Sequence, residues 1–82
     1  MNLEIFKNKT LLITGGTGSF GSTILTKFQD IDFKEIRVFS RDEKKQHDLR
    51  LELNDPKVNF FIGDVRDTES VDNVVRGVDY IF

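Results

Sequence analysis

The chain has 82 residues, of which 38% are apolar and 32% charged, and its formal net charge is −2. This length allows one small domain at most, and the charge balance provides no basic field for nucleic-acid binding. The sequence has no cysteine, which excludes a disulfide framework and a thiolate metal site. No apolar run reaches the length of a signal peptide or a transmembrane helix, so we expect a cytoplasmic protein without membrane insertion.

The first predicted elements are a lead-in segment and a buried strand. Residues 2–8 carry charges among apolar side chains, and we expect the apolar ones to pack under a sheet edge or against a neighbouring subunit. Residues 9–14 form the first strand, with the uninterrupted apolar run Leu-Leu-Ile at 11–13. A continuous run of this kind is typical of a parallel strand that is covered on both faces.

A glycine-rich turn follows, with the sequence Thr-Gly-Gly-Thr-Gly-Ser-Phe-Gly at residues 14–21, and a helix is predicted from Ser19 to about residue 30. A strand, a tight glycine turn and a helix in this order are typical of a site for a dinucleotide pyrophosphate. Gly15 allows the sharp turn, Gly18 the close approach of the phosphates, and Gly21 the packing of the helix on the strand. The unpaired N–H groups and positive dipole at the start of the helix complement the pyrophosphate.

The turn has two other interpretations. One is a structural glycine turn in an unrelated α/β domain. A nucleoside-triphosphate phosphate loop is excluded more firmly, because it needs Lys and then Ser or Thr after the turn, whereas Gly21 is followed by Ser22 and Thr23. Phe20 is expected to lie over the cofactor. The cofactor-binding residues predicted from the turn are Gly15, Thr17, Gly18, Ser19, Phe20 and Gly21.

The rest of the chain repeats the alternation of strands and helices. Strands are predicted at residues 35–40, 58–62 and 78–82, and helices at 42–54 and from the N-cap Asp67 to about Gly77. The helix at 42–54 is predicted to be polar and solvated, with two leucines as its apolar anchor. Because the linkers are short, this alternation requires parallel strands joined by right-handed crossovers.

The predicted fold class is α/β, specifically the N-terminal part of a Rossmann-like doubly wound parallel sheet with the order βαβαβαβ. We expect the first strand in the centre, the second and third on one side and the fourth on the other. A complete doubly wound sheet has about six strands, and the sequence predicts four. We therefore expect residues 1–82 to be a truncated NAD(P)-binding segment with its catalytic and substrate-binding parts beyond residue 82. Alone, it should be unstable or self-associating and inactive.

The residues after the second strand indicate which nicotinamide dinucleotide binds. An NAD site usually has Asp or Glu there to accept from the ribose 2′-hydroxyl, whereas this chain has Ser40 and Arg41. A guanidinium holds a 2′-phosphate through paired donors, and Lys45 adds a positive charge one helical turn later. Asp42 and Glu43 are better explained as helix-capping acids. NADP is therefore expected, with NAD less favoured, and the alternative for Arg41 is a solvated surface charge.

The segment Gly-Asp-Val-Arg-Asp at residues 63–67 follows the third strand. We expect Asp64 to accept from the adenine amino group and the backbone N–H of Val65 to donate to a ring nitrogen. The alternative is a plain turn that ends in the helix cap Asp67.

Two further residues are expected to carry no chemistry. His47 is the single histidine and lies on a polar helix, so we expect a solvated surface residue. Without a second histidine or a cysteine we expect no metal site. Tyr80 is expected to belong to the core, as are most of the phenylalanines.

The three motifs at residues 14–21, 39–46 and 63–67 together resemble the extended short-chain dehydrogenase/reductases. More narrowly, the sequence is similar to the UDP-N-acetylglucosamine 4,6-dehydratases of bacterial capsule, O-antigen and flagellin-sugar synthesis, some of which also epimerise at C5. The glycine motif alone marks only the superfamily. Its combination with Phe-Ser-Arg-Asp-Glu and Gly-Asp-Val-Arg-Asp is narrower, and the resemblance covers essentially the whole chain.

The resemblance implies a tightly held NADP⁺, a nucleotide-sugar substrate and a homo-oligomer. It implies hydride removal from sugar C4, loss of water across C5 and C6, and hydride return at C6. The family's Tyr-x-x-x-Lys pair would lie beyond residue 82, so no catalytic residue is assigned. The alternatives are a UDP-sugar 4-epimerase or reductase of the same superfamily and a non-catalytic dinucleotide-sensing protein.

Overall fold

The computed structural model describes residues 3–15 and 19–82 of the chain. Within these residues one parallel sheet has the strand order β3-β2-β1-β4. This order confirms the predicted α/β fold, with the first strand in the centre. The strands are β1 (Thr10–Thr14), β2 (Glu35–Ser40), β3 (Val58–Ile62) and β4 (Tyr80–Ile81). The helices are α1 (Ser19–Gln29), α2 (Glu43–Leu53) and α3 (Thr68–Val74), preceded by a 3₁₀ turn at Leu3–Phe6.

The central strand β1 is buried on both faces, as its apolar run predicts. Leu11, Leu12 and Ile13 are at most 3% exposed. β1 pairs with β2 from Thr10 to Thr14, and on its other side with β4. Since parallel strands end at the same edge, the carboxyl ends of β1, β2 and β3 lie side by side where α1 and α2 begin.

Two apolar clusters cover the two faces of the sheet. Successive side chains of a strand point to opposite faces, so Leu11 and Ile13 enter one cluster and Leu12 the other. The smaller cluster joins Leu12 to Phe39 of β2 and Val74 of α3. The larger cluster packs under α1 and α2, and its buried members are Leu11, Ile13, Leu25, Phe33, Ile36, Val38, Leu49 and Val58.

Acidic N-caps begin α2 and α3, as predicted. The Asp42 carboxylate accepts from the backbone N–H of Lys45 at 3.0 Å, and the Asp67 carboxylate accepts from that of Glu69 at 3.2 Å. These bonds satisfy N–H groups that have no partner within the helix. α2 ends at Asn54, which has a left-handed backbone with φ of 44°.

The predicted burial of Tyr80 is wrong, whereas most of the described phenylalanines do pack in or against the core. Tyr80 is 39% exposed, because β4 is the edge strand of the described sheet, so it is not a core residue. Phe61 and Phe82 are also exposed, at 37% and 54%. Phe6 of the lead-in does pack at the sheet edge, with its ring centroid 5.3 Å from that of Tyr80.

The helix α2 is less solvated than its sequence indicates. Leu49 and Leu53 face the core as predicted, and His47 is exposed. Gln46, however, is only 1% exposed.

Among the helices of the described residues, none is long and apolar enough to cross a membrane.

Candidate dinucleotide-binding site

A cleft of about 380 Å³ lies at the carboxyl ends of β1, β2 and β3. The predicted site residues Gly15, Ser40, Arg41, Asp64 and Val65 all line it. The fold therefore brings together residues that are up to fifty positions apart in the sequence. Phe39, Gly63 and Arg66 complete the lining.

The glycine turn is described only in part. Thr17 and Gly18 lie outside the described residues, and residues 19–21 are described only as the helical start of α1. Gly15 has φ of +67°, a left-handed conformation that favours glycine, and its N–H donates to the Phe39 carbonyl at 2.9 Å. This geometry supports the predicted sharp turn out of β1.

Arg41 projects from the end of β2 into the cleft. Its side chain is 69% exposed, and Nη1 lies 3.6 Å from Oδ2 of Asp64. Lys45, predicted as a second cation of the same subsite, does not line the cleft. Its ammonium lies 4.0 Å from the Asp42 carboxylate, because the two residues are one turn apart at the start of α2. Of the two cations predicted to bind the 2′-phosphate, Arg41 lines the cleft and Lys45 does not.

Asp64 is held by its neighbour Arg66. The guanidinium Nη2 of Arg66 lies 2.7 Å from Oδ2, Nε lies 3.1 Å from both oxygens, and the Arg66 backbone N–H donates to Oδ1 at 2.9 Å. The hydrogen bonds from the Arg66 side chain and backbone, with the charges of Arg66 and Arg41, lower the pKa of Asp64 to about 2. The carboxylate is therefore ionised at neutral pH and already engaged, so an adenine amino group would have to share it.

Val65 lines the cleft and is 63% exposed. The predicted adenine contacts of Asp64 and Val65 remain predictions. Both residues line the same cleft as Gly15.

Gln46 was missed as part of this region. Its side-chain amide donates from Nε2 to Ser40 Oγ at 2.9 Å and to the Phe61 carbonyl at 2.9 Å. The signal was present in the sequence, since Gln46, Leu49 and Leu53 have the spacing i, i+3, i+7 of one helix face. The polar composition of the helix predicts burial for the two leucines only and solvent exposure for the glutamine.

Comparison with known proteins identifies the family. Residues 11–82 match a family described as polysaccharide biosynthesis protein. The chain belongs to this family. Its relatives include proteins named UDP-glucose 4-epimerase from Rickettsia bellii strain RML369-C, at 61% identity, and from Rickettsia akari, at 60%. Each alignment covers 95% of this chain and 24% of the relative, so the chain spans about a quarter of their length.

Solved structures agree with the fold. Pen from Bacillus thuringiensis is 40% identical with a TM-score of 0.88, over 94% of this chain and 24% of that one. A short-chain dehydrogenase/reductase from Brucella melitensis is 20% identical with a TM-score of 0.79, over 93% of this chain and 35% of that one, which shows the fold alone. An L-sorbose reductase from Gluconobacter frateurii, solved with NADPH and L-sorbose, is 26% identical with a TM-score of 0.69, over 87% of this chain and 28% of that one.

These matches confirm the predicted α/β fold and show that the chain belongs to a family of polysaccharide biosynthesis proteins. They do not confirm the narrower prediction, because the curated relatives named above are epimerases rather than UDP-N-acetylglucosamine 4,6-dehydratases.

Proposed function

We propose that this chain is the NADP-binding portion of an enzyme that oxidises a UDP-linked sugar at C4. The observation that carries the proposal is the meeting of the Gly15 turn and the Arg41 guanidinium in one cleft at the carboxyl edge of a parallel sheet. In open α/β sheets, ligands bind outside the carboxyl ends of the strands. The C4 oxidation requires a hydride acceptor, and a nicotinamide dinucleotide supplies that chemistry when bound.

The residues of the cleft fit such a dinucleotide. Within the described residues, and apart from its chain neighbours, a Cβ atom added to Gly15 would meet no heavy atom within 4 Å. The start of α1 offers N–H donors to the pyrophosphate. Arg41 offers a charged fork to the 2′-phosphate, and no carboxylate occupies the position after β2 that usually selects NAD. These features support NADP over NAD.

The reaction we favour is the 4,6-dehydration of UDP-N-acetylglucosamine, with inversion at C5 as a possible additional step. It rests on the similarity of the three motifs to that family. This reaction moves hydride from C4 to C6 and releases water, so it needs no external reductant. The catalytic acid and base would belong to the part of the protein that follows residue 82.

A second candidate is UDP-glucose 4-epimerisation. It is favoured by the name of the Rickettsia relatives, which are 60–61% identical over this chain. Both reactions begin with oxidation at C4 and therefore make the same demand on the cofactor-binding cleft. They differ in the next step, which is loss of water in the dehydration and return of hydride to C4 in the epimerisation. We do not assign that step to any residue of the cleft.

The test is to incubate the complete protein separately with UDP-N-acetylglucosamine and UDP-glucose. A product lighter by one water molecule indicates the dehydratase, and an isomer of unchanged mass that differs at C4 by NMR indicates the epimerase. The bound dinucleotide is extracted and identified in the same preparation. Dinucleotide binding without turnover of either sugar would contradict both enzymes and favour a sensing protein, and failure to bind any dinucleotide would contradict the whole proposal.

A further inference from the structure

We infer that Gln46 is a positioning residue that sets the preference of the cleft for NADP over NAD, without contacting the cofactor itself. This inference rests on the proposed NADP site. Gln46 lies in α2, behind the residues that line the cleft, and it is only 1% exposed. It contacts the last residue of β2, which immediately precedes Arg41.

The amide of Gln46 connects the ends of two neighbouring strands. One Nε2–H donates to Ser40 Oγ at 2.9 Å, and the other donates to the Phe61 carbonyl in β3 at 2.9 Å. The Ser40 carbonyl lies 3.4 Å from the same nitrogen, and it also accepts from the Gly63 N–H at 3.0 Å. The last residue of β2 is therefore held on both its side chain and its carbonyl.

This connection fixes the point from which Arg41 leaves the sheet. The Arg41 side chain is 69% exposed, and the contact that the structure gives it is the 3.6 Å ion pair with Asp64. Its position relative to a bound 2′-phosphate thus depends on where the backbone of Ser40 is held. A flexible side chain on a fixed backbone loses less freedom on binding than one on a mobile backbone.

The geometry requires an amide donor at this position. The acceptors around Nε2 are two carbonyls and the Ser40 hydroxyl, so a carboxylate oxygen in its place would face two carbonyls that have no proton to donate, and only the hydroxyl could donate to it. Within the described residues the other amide atom, Oε1, is buried and has no hydrogen-bond partner. A buried oxygen without a partner lowers stability. The donor end of the Gln46 amide is therefore the end that is paired in the structure.

The experiment compares Gln46→Met with the unmodified complete protein. Methionine has a similar length and volume, fills the same space and removes both donors. The dissociation constants of NADP⁺ and NAD⁺ are measured by titration calorimetry, and folding is checked by thermal unfolding. We expect the NADP⁺ preference to fall by about tenfold, the order of one or two lost hydrogen bonds, with most of the loss in NADP⁺ binding.

Leu49→Ala is the matched control. Leu49 lies one turn further along α2 and is also buried, at 5% exposure, but it packs in the apolar cluster. It should lower the unfolding temperature and leave the ratio of the two dissociation constants unchanged. A Gln46→Met protein with the unmodified ratio would overturn the inference while leaving the NADP site intact. An unmodified protein that does not prefer NADP⁺ would instead contradict the proposed cofactor.

Discussion

The ring of Phe39 occupies the space that a side chain at residue 63 would need. A Cβ atom built on Gly63 would lie 2.8 Å from Cζ of Phe39 and 3.1 Å from Cβ of Ser70. The Phe39 ring is only 2% exposed and belongs to the cluster under α3, so it cannot move aside freely. Gly63 is therefore required for packing, whereas Gly15 is required for its left-handed backbone.

Gly63→Ala should destabilise the protein by about 1–3 kcal/mol, the usual cost of overpacking a buried site. The measurement is the free energy of unfolding in urea. The double variant Phe39→Leu with Gly63→Ala should lose less than the sum of the two single variants, because the shorter side chain leaves room for the methyl group. Additive losses would mean that the ring does not oppose the new side chain.

Arg41→Ala should weaken NADP⁺ binding far more than NAD⁺ binding. Loss of a charge-assisted phosphate contact costs about 1.5–3 kcal/mol, or roughly tenfold to a hundredfold in affinity. Arg50→Ala is the matched control, since it removes the same charge from the last turn of α2 and does not line the cleft. Equal losses for both dinucleotides, measured by calorimetry on the complete protein, would contradict the 2′-phosphate contact, and no loss for either would assign Arg41 to the solvated surface.

The sequence predicts the sheet well because its central strand is covered on both faces. An uninterrupted apolar run such as residues 11–13 predicts burial on both faces of the strand. Short linkers then allow only parallel strands joined by right-handed crossovers. The prediction fails at β4, where the burial of Tyr80 depends on whether another strand lies beside it. An apolar pattern shows that a residue can be buried, but it does not show which neighbour covers it.

The sequence predicts which residues line the candidate site, but it predicts only some of the contacts between them. Ser40, Arg41 and Asp64 were found because motifs at strand ends meet at one edge of a parallel sheet. The pairing of Asp64 with Arg66 was missed, although the two are separated by a single residue, because it depends on the conformation of the turn. The burial of Gln46 was missed because a polar residue on a polar helix is expected to face solvent. Its position on the same helix face as Leu49 and Leu53 indicates burial instead.

Gly18→Val tests the glycine turn, which lies partly outside the described residues. A branched Cβ should occupy the place of the pyrophosphate, so we expect loss of both NADP⁺ and NAD⁺ binding with little change in unfolding temperature. This pattern differs from that of Arg41→Ala, which separates the two dinucleotides. Normal NADP⁺ binding by the variant would make the turn purely structural and contradict the proposed pyrophosphate site.

Asp64 should give the protein a stability that depends on pH in the acid range. Its pKa is about 2 in the folded protein, against an ordinary value of 3.8, chiefly because the Arg66 side chain and backbone hydrogen-bond to the carboxylate. The unfolded chain therefore takes up a proton before the folded one does. The stabilisation is fully present above about pH 4, and it is lost as the pH falls through the folded value.

Two variants separate the causes of this low pKa, which is measured from the Asp64 carboxyl carbon by NMR titration. Arg66→Ala removes the largest contribution, the side-chain hydrogen bonds, together with the Arg66 charge, but it keeps the backbone N–H, so it should raise the pKa part of the way to 3.8. Arg41→Ala removes the last and smallest one, across 3.6 Å, and should raise the pKa only slightly. If the two variants raised it equally, the pKa would reflect the general positive charge of the cleft, and the hydrogen bonds of the Arg66 side chain would not be its main cause.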